Sequence, residues 1–164
     1  MEDNRKRGQI ILKIIFLDID GVLNSEQYDE IRTKEQGNID ETRLPLLKYL
    51  VENTGAEIVL CSTWRKHWDK EEALCDKVGM ELNDRFQSYG LTIMDKTPLI
   101  SDAQRALEIQ AWLNLHSESV ENYVILDDNL WGWGDLISHL VRTSPRDRRG
   151  LEEEHIQKAI EILK

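Results

Sequence analysis

Three short runs of branched apolar residues fix most of what this chain can become: IILKIIFL at 10–17, AEIVLC at 56–61 and YVIL at 123–126. None alternates apolar with polar side chains, so each reads as a strand buried on both faces, the pattern of a parallel sheet covered by helices. Helical patterns fill the intervals. Residues 40–53 set Leu44, Leu47, Leu50 and Val51 on one stripe, with Pro45 limiting the start and Gly55 as a stop signal. Residues 64–78 form a charge-rich second helical candidate. Residues 101–115 begin with Ser101 and Gln104 at capping-box spacing and carry an apolar side of Leu107, Trp112, Leu113 and Leu115. Residues 151–163 repeat Ile156, Ala159, Ile160 and Leu163 as a closing amphipathic helix. Residues 81–100 contain Gly90 and Pro98 and read as loop, with one short extended piece at 91–94, and residues 140–142 read as an edge strand. Strands alternating with helices predict right-handed crossovers and an α/β three-layer sandwich around a central, mainly parallel sheet.

The chain has 164 residues, 40% hydrophobic and 32% charged, which suits one core: a short solvated tail at 1–8 and a single domain over 9–164. A formal charge of -10 argues against long-range attraction to a nucleic-acid duplex or an anionic membrane, so an anionic substrate must be captured locally. Arg5, Lys6 and Arg7 before an apolar stretch imitate a secretion signal, but Lys13 interrupts the stretch and no small-residue cleavage site follows. No segment approaches the roughly 20 apolar residues of a membrane span. Cys61 and Cys75 are too few for a disulfide framework. These features predict a soluble, cytoplasmic protein.

Each of the three strands ends in polar residues: Asp18 and Asp20, then Ser62 and Thr63, then Asp127 and Asp128. In open parallel sheets ligands sit beyond the carboxyl ends of the strands, so these side chains should converge. Unit charges about 4 Å apart at an effective dielectric of about 20 interact by roughly 4 kcal/mol, and four crowded carboxylates are costly on that scale. A hard divalent cation relieves the conflict, and an oxygen-only ligand set suits Mg²⁺. Zinc fits poorly, because His67, His116, His139 and His155 show no metal-ligand spacing.

The segments FLDIDGV, VLCST, an arginine on the helix before the third strand, and VILDDN resemble, in that order, the four motifs of the haloacid dehalogenase (HAD) superfamily of aspartate-nucleophile phosphatases. The longer pattern of VLCSTWR, QRALEIQAWL and YVILDD is similar to HAD domains found in bacterial RNA-repair proteins. The resemblance implies a Rossmann-type, HAD-like catalytic domain and a Mg²⁺-dependent phosphomonoester hydrolase. It makes Asp18 the nucleophile that forms an aspartyl-phosphate, and Asp20 the general acid and base. It implies a Mg²⁺ site of Asp18, the Asp20 backbone carbonyl, Asp127 and Asp128. Ser62 or Thr63 would hydrogen-bond the phosphoryl oxygens, and Arg105 would supply fixed positive charge, with Lys96 as its rival. Arg105 could equally be a solvated helix residue or an ion-pair partner of Glu108 or Asp102.

Family members with small substrates often carry a cap domain. Here residues 22–39 and 81–100 are too short for one, which the resemblance associates with an open site and large substrates, such as nucleic-acid ends or phosphoproteins. Trp64, Arg65 and Trp131 are candidate rim residues that could hold a nucleotide or oligonucleotide end by stacking and charge. Against this, Trp64 and Trp68 could pack one helix face, and Trp131 and Trp133 could anchor their loop. Arg142, Arg146, Arg148 and Arg149 are either a nucleic-acid contact or a solvated loop. Two other functions share the motifs: a phosphotransferase using the same aspartyl-phosphate, and a phosphate-binding module without catalysis.

Overall fold

The computed structural model of the chain describes residue 8 and residues 10–100, 104–143 and 148–164. The expected tail at 1–8, apart from Gly8, falls outside the described residues, as do Ser101, Asp102 and Arg146.

Five strands form one sheet: β1 (Leu12–Leu17), β2 (Glu57–Leu60), β3 (Ile93–Lys96), β4 (Val120–Asp127) and β5 (Leu140–Arg142). All pairings are parallel, in the spatial order β3-β2-β1-β4-β5. The chain therefore starts at the centre, builds outward through β2 and β3, and returns to the other side of β1 with β4. That reversal leaves a crevice beyond the carboxyl ends of β1 and β4.

Alternate residues of the strands feed two separate cores. On one face Ile15, Leu17, Ile58, Leu60, Val124 and Leu126 pack with Leu44, Leu47 and Leu50 of α2 (Leu44–Thr54), Leu82 and Phe86 of α3 (Lys77–Ser88), and Ile156, Ala159 and Leu163 of α5 (Glu153–Leu163). On the other, Ile14, Phe16, Val59, Cys61 and Ile125 meet Ile109 and Trp112 of α4 (Arg105–Leu115), with Trp133 and Leu136. A sheet dry on both faces needs no alternation, which is why its strands could be read from uninterrupted apolar runs. Among the described residues no helix is long and apolar enough to cross a membrane. Cys61 and Cys75 are both free.

Several elements differ from expectation. The first strand starts at Leu12, and Ile10 and Ile11 are exposed. Of the helix expected over 64–78, only residues 77 and 78 are α-helical, as the first residues of α3. The stretch before it makes two short 3₁₀ turns, Thr63–Lys66 and Glu72–Leu74, and α3 continues to Ser88, into the segment from 81 where loop was expected. Asp76 caps it by accepting from the backbone N–H of Val78 and Gly79 at 2.9 and 3.1 Å. Gly79 is a packing requirement and not a breaker: a Cβ there would lie 2.0 Å from the carbonyl oxygen of His67. The extended piece expected at 91–94 overlaps β3 at 93–94, and the strand, registered on β2, continues to Lys96. The inward face of α4 is Glu108, Ile109 and Trp112, whereas Leu107 and Leu115 of the expected apolar side are exposed. Between β1 and α2 the only regular elements are the six-residue helix α1 (Glu26–Ile31) and a 3₁₀ turn, Glu41–Arg43.

Candidate active site

Hydrogen bonds continue past the ends of the strands and align the polar residues in one row. The Asp18 N–H donates to the Leu126 carbonyl at 3.0 Å, the Cys61 N–H to Leu17 at 3.0 Å, and the Thr143 N–H to Asp127 at 2.9 Å. Asp18 and Asp127 thus lie side by side at the sheet edge, 4% and 0% exposed. Asp128 follows on the open side, and carboxylate oxygens of Asp18, Asp127 and Asp128 all lie within 4.8 Å of one another. Arg105, the first residue of α4, reaches into this cluster. One terminal nitrogen of its guanidinium sits 3.1 Å from Asp18 Oδ2 and also donates to Asp127 Oδ2. Lys96, the rival cation, is elsewhere: its ammonium donates to the carbonyls of Arg65 and Trp68 at 3.1 and 2.6 Å.

Three carboxylates face one guanidinium, and the protonation of the site reflects the excess. Burial first, then the charge of Asp127, pushes the Asp18 carboxyl up to about 7, with Arg105 opposing the rise. Burial and Asp127 raise Asp128 as well. Burial alone would lower the Arg105 guanidinium, but the carboxylates of Asp18 and Asp127 more than offset it, so it stays charged. Oxygen atoms without sulfur or imidazole, carrying more negative charge than one arginine balances, fit a hard divalent cation such as Mg²⁺.

Asp20 stands apart from that cluster. Its side chain is exposed and lines the cleft, and Oδ1 accepts from Asn24 Nδ2 at 2.9 Å and from the Trp64 indole N–H at 3.2 Å. Asn24 also accepts from the Gly21 N–H at 3.0 Å and donates to the Asn38 carbonyl at 3.1 Å, so one buried asparagine fastens the whole turn. The sequence offered no sign of this role beyond an Asn four residues after Asp20.

Gly21 has a steric role. Its φ is 83°, and a Cβ there would lie 2.2 Å from Asp128 Oδ2. Gly21→Ala combines left-handed strain of about 1–2 kcal/mol with displacement of Asp128. It is expected to weaken Mg²⁺ binding about tenfold or more, read from the Mg²⁺ dependence of the melting temperature. An unchanged midpoint would show that Asp128 has room to move.

The second strand delivers its hydroxyls differently. Ser62 is fully buried, and its Oγ accepts from the Trp64 N–H at 3.2 Å. Thr63 is exposed and lines the open cleft of about 580 Å³ together with Asp18, Asp20, Arg105 and Asp128. Of the expected rim residues, Trp131 is 77% exposed and lines a neighbouring pocket that shares Arg105 and Asn129 with the cleft, whereas Trp133 is buried, its indole N–H donating to the Asn129 carbonyl at 2.9 Å. Trp64 is half-buried on Asp20. Arg65 borders the cleft but is 3% exposed, and both oxygens of the buried Glu108 accept from it at 2.7 Å. Trp68 is core, although no helix carries it.

Residues 14–156 match the family model described as the HAD domain in Swiss Army Knife RNA repair proteins. Comparison with curated proteins and with solved structures returns no match.

Proposed function

We propose that this chain, which belongs to the family of HAD domains of Swiss Army Knife RNA repair proteins, is a Mg²⁺-dependent phosphomonoester hydrolase acting on nucleotide or nucleic-acid terminal phosphates. The observation that carries the reading is the gathering of Asp18, Asp127 and Asp128 within 4.8 Å, with Arg105 bridging the first two. Mg²⁺ held by these carboxylates would neutralise them and draw charge from the phosphoryl oxygens.

The chain's own groups divide the chemistry. A carboxylate oxygen of Asp18 attacks phosphorus, and the bond to the ester oxygen breaks as Asp20 gives that oxygen its proton. Water then attacks the phosphorus of the aspartyl-phosphate while Asp20 takes a proton from it, which frees Asp18 and inorganic phosphate. Arg105 offsets the charge that spreads over the equatorial oxygens, and Thr63, open to the cleft, offers its hydroxyl to one of them. Ser62 acts behind Thr63 by capping the turn.

The nucleotide part of the reading rests on the open cleft and on Trp131, an indole left in solvent on a braced loop. Asn129 accepts from the Trp131 N–H at 3.2 Å and donates to its carbonyl at 2.8 Å, and Asn129 N–H is itself tied to Asp127 at 2.9 Å. An exposed aromatic on a braced backbone next to the cleft suits base stacking.

The test is release of phosphate from sugar phosphates, mononucleotides and 5′- or 3′-phosphorylated oligonucleotides, with and without Mg²⁺. Mg²⁺-stimulated release favouring the nucleic-acid substrates is expected, and release from none of them would overturn the reading. Stacking of a base is worth about 1–3 kcal/mol, so Trp131→Ala should raise KM for nucleotide substrates about tenfold and leave that for a small aryl phosphate unchanged. An equal effect on both would remove the stacking role.

A further inference from the structure

A second cavity, of about 340 Å³, opens on the other side of Asp128 and is lined by Gly21, Glu26, Asp128, Arg142, Arg148 and Gly150 among others. Asp128 lines both this cavity and the catalytic cleft, so the two are neighbours across one side chain. In a chain with a formal charge of -10, two guanidinium groups in one cavity are not a default of composition.

We propose that this cavity binds the phosphodiester next to the terminal phosphate of an oligonucleotide, so that the protein grips two successive phosphates of one strand. The inference rests on the phosphatase reading for the first of them. Arg142 is the last residue of β5 and is registered opposite Asp127. Its Nε donates to the Asp128 carbonyl at 3.0 Å, which fixes the plane of the fork, and among the described residues its two terminal nitrogens have no hydrogen-bond partner. A planar fork with its outer edge free suits two phosphate oxygens.

Arg148 comes from a different segment, stitched to the turn that carries Asp20. The Leu151 N–H donates to the Val22 carbonyl at 2.8 Å, and Gly150 sits so close that a Cβ would lie 2.7 Å from the same oxygen. This contact fixes where Arg148 stands relative to the catalytic turn. Its guanidinium pairs with Glu26, which lines the same cavity.

The charge count selects the ligand. Arg142 and Arg148 against Glu26 leave one net positive charge, since Asp128 belongs to the carboxylate cluster. One positive charge matches the single negative charge of a phosphodiester and undercompensates a dianionic phosphomonoester. The source is therefore an internal linkage and not a second terminal phosphate.

The experiment compares four ligands in Mg²⁺: a terminally phosphorylated mononucleotide, the corresponding dinucleotide, the same dinucleotide with a neutral methylphosphonate linkage, and a nucleoside bisphosphate. Both KM and equilibrium binding by tryptophan fluorescence are measured. The dinucleotide is expected to bind about tenfold tighter than the other three, with similar kcat. Arg148→Ala, which touches none of the catalytic groups, should erase that advantage without changing turnover of the mononucleotide, and Arg148→Lys should restore part of it. Equal binding of the charged and neutral linkages would overturn the proposal while mononucleotide turnover leaves the phosphatase reading intact. A bisphosphate that binds as tightly as the dinucleotide would overturn the choice of a phosphodiester. No turnover of any substrate removes the phosphatase reading instead, and the binding comparison still decides the cavity.

Discussion

Asp18→Asn is expected to lower Mg²⁺-stimulated phosphate release by on the order of 10⁴-fold or more, with an unchanged circular dichroism spectrum, because the amide lacks the nucleophilic oxygen anion yet occupies nearly the same volume. The same substitution should stabilise the metal-free protein at alkaline pH. Burial, with Asp127 next, holds the Asp18 carboxyl up at about 7 against an ordinary 3.8. Between those two values the folded chain keeps a proton that the unfolded chain has released, so folding stability falls as the pH rises through the window and levels off above it. At about 1.4 kcal/mol per pH unit, ionising this carboxyl costs the metal-free fold a few kcal/mol by pH 8. Asparagine has no charge to bury. The EDTA-treated variant should therefore melt above wild type at pH 8, and the gap should close as the pH approaches about 4. Mg²⁺ should in turn raise the wild-type melting temperature more at pH 8 than at pH 5, since protons and the cation compete for the same oxygens. A variant that melts below wild type at pH 8 without metal would refute the crowding of carboxylates, and a variant that still turns over would refute the nucleophile.

What was legible in the sequence was whatever depends on short stretches of chain. Strands β1, β2 and β4 could be read because a two-sided core removes alternation, and Asp18 and Asp127 because they terminate those strands at one edge. Arg105 could be named but not distinguished from Lys96 or from an ion-pair role, and only the fold brings it to Asp18. Helix α3 straddles the end of one expected helix at 78 and the expected loop from 81, and the demand for a glycine at 79 comes from His67, on a segment brought against it by folding. The inward face of α4 was misread because Glu108 interrupts its apolar stripe, and the partner that makes a buried glutamate tolerable lies 43 residues earlier in the sequence. Trp131 and Trp133 are two residues apart in one loop, yet one is 77% and the other 3% exposed. Which side of a loop meets the core is set by the elements beneath it, and no local pattern encodes that.

Glu108→Ala should be the most damaging substitution outside the cleft machinery, at about 3–5 kcal/mol, because it strands a charge in a dry place. Arg65 is 3% exposed, its terminal nitrogens reach Glu108 at 2.7 Å and the Cys61 carbonyl at 3.1 Å, and among the described residues its Nε has no hydrogen-bond partner. Glu108 Oε2 also accepts from the N–H of the exposed Ile100 at 2.9 Å, so the alanine removes the acceptor of a second donor as well. With about 2–4 °C per kcal/mol for a chain of this size, the melting temperature should drop by on the order of 10 °C. The double variant Arg65→Met, Glu108→Leu should regain most of the loss, because neither charge then needs desolvating. Were Arg65 solvated and free at the rim, the single substitution would cost less than about 1 kcal/mol, which a denaturant titration would detect. Turnover separates two reasons for keeping the pair. It ties the turn after β2 to α4, the helix whose first residue is Arg105, so a double variant that recovers its melting temperature but not its kcat assigns the pair to aligning Arg105 on the phosphoryl group. Recovery of both assigns it to stability alone.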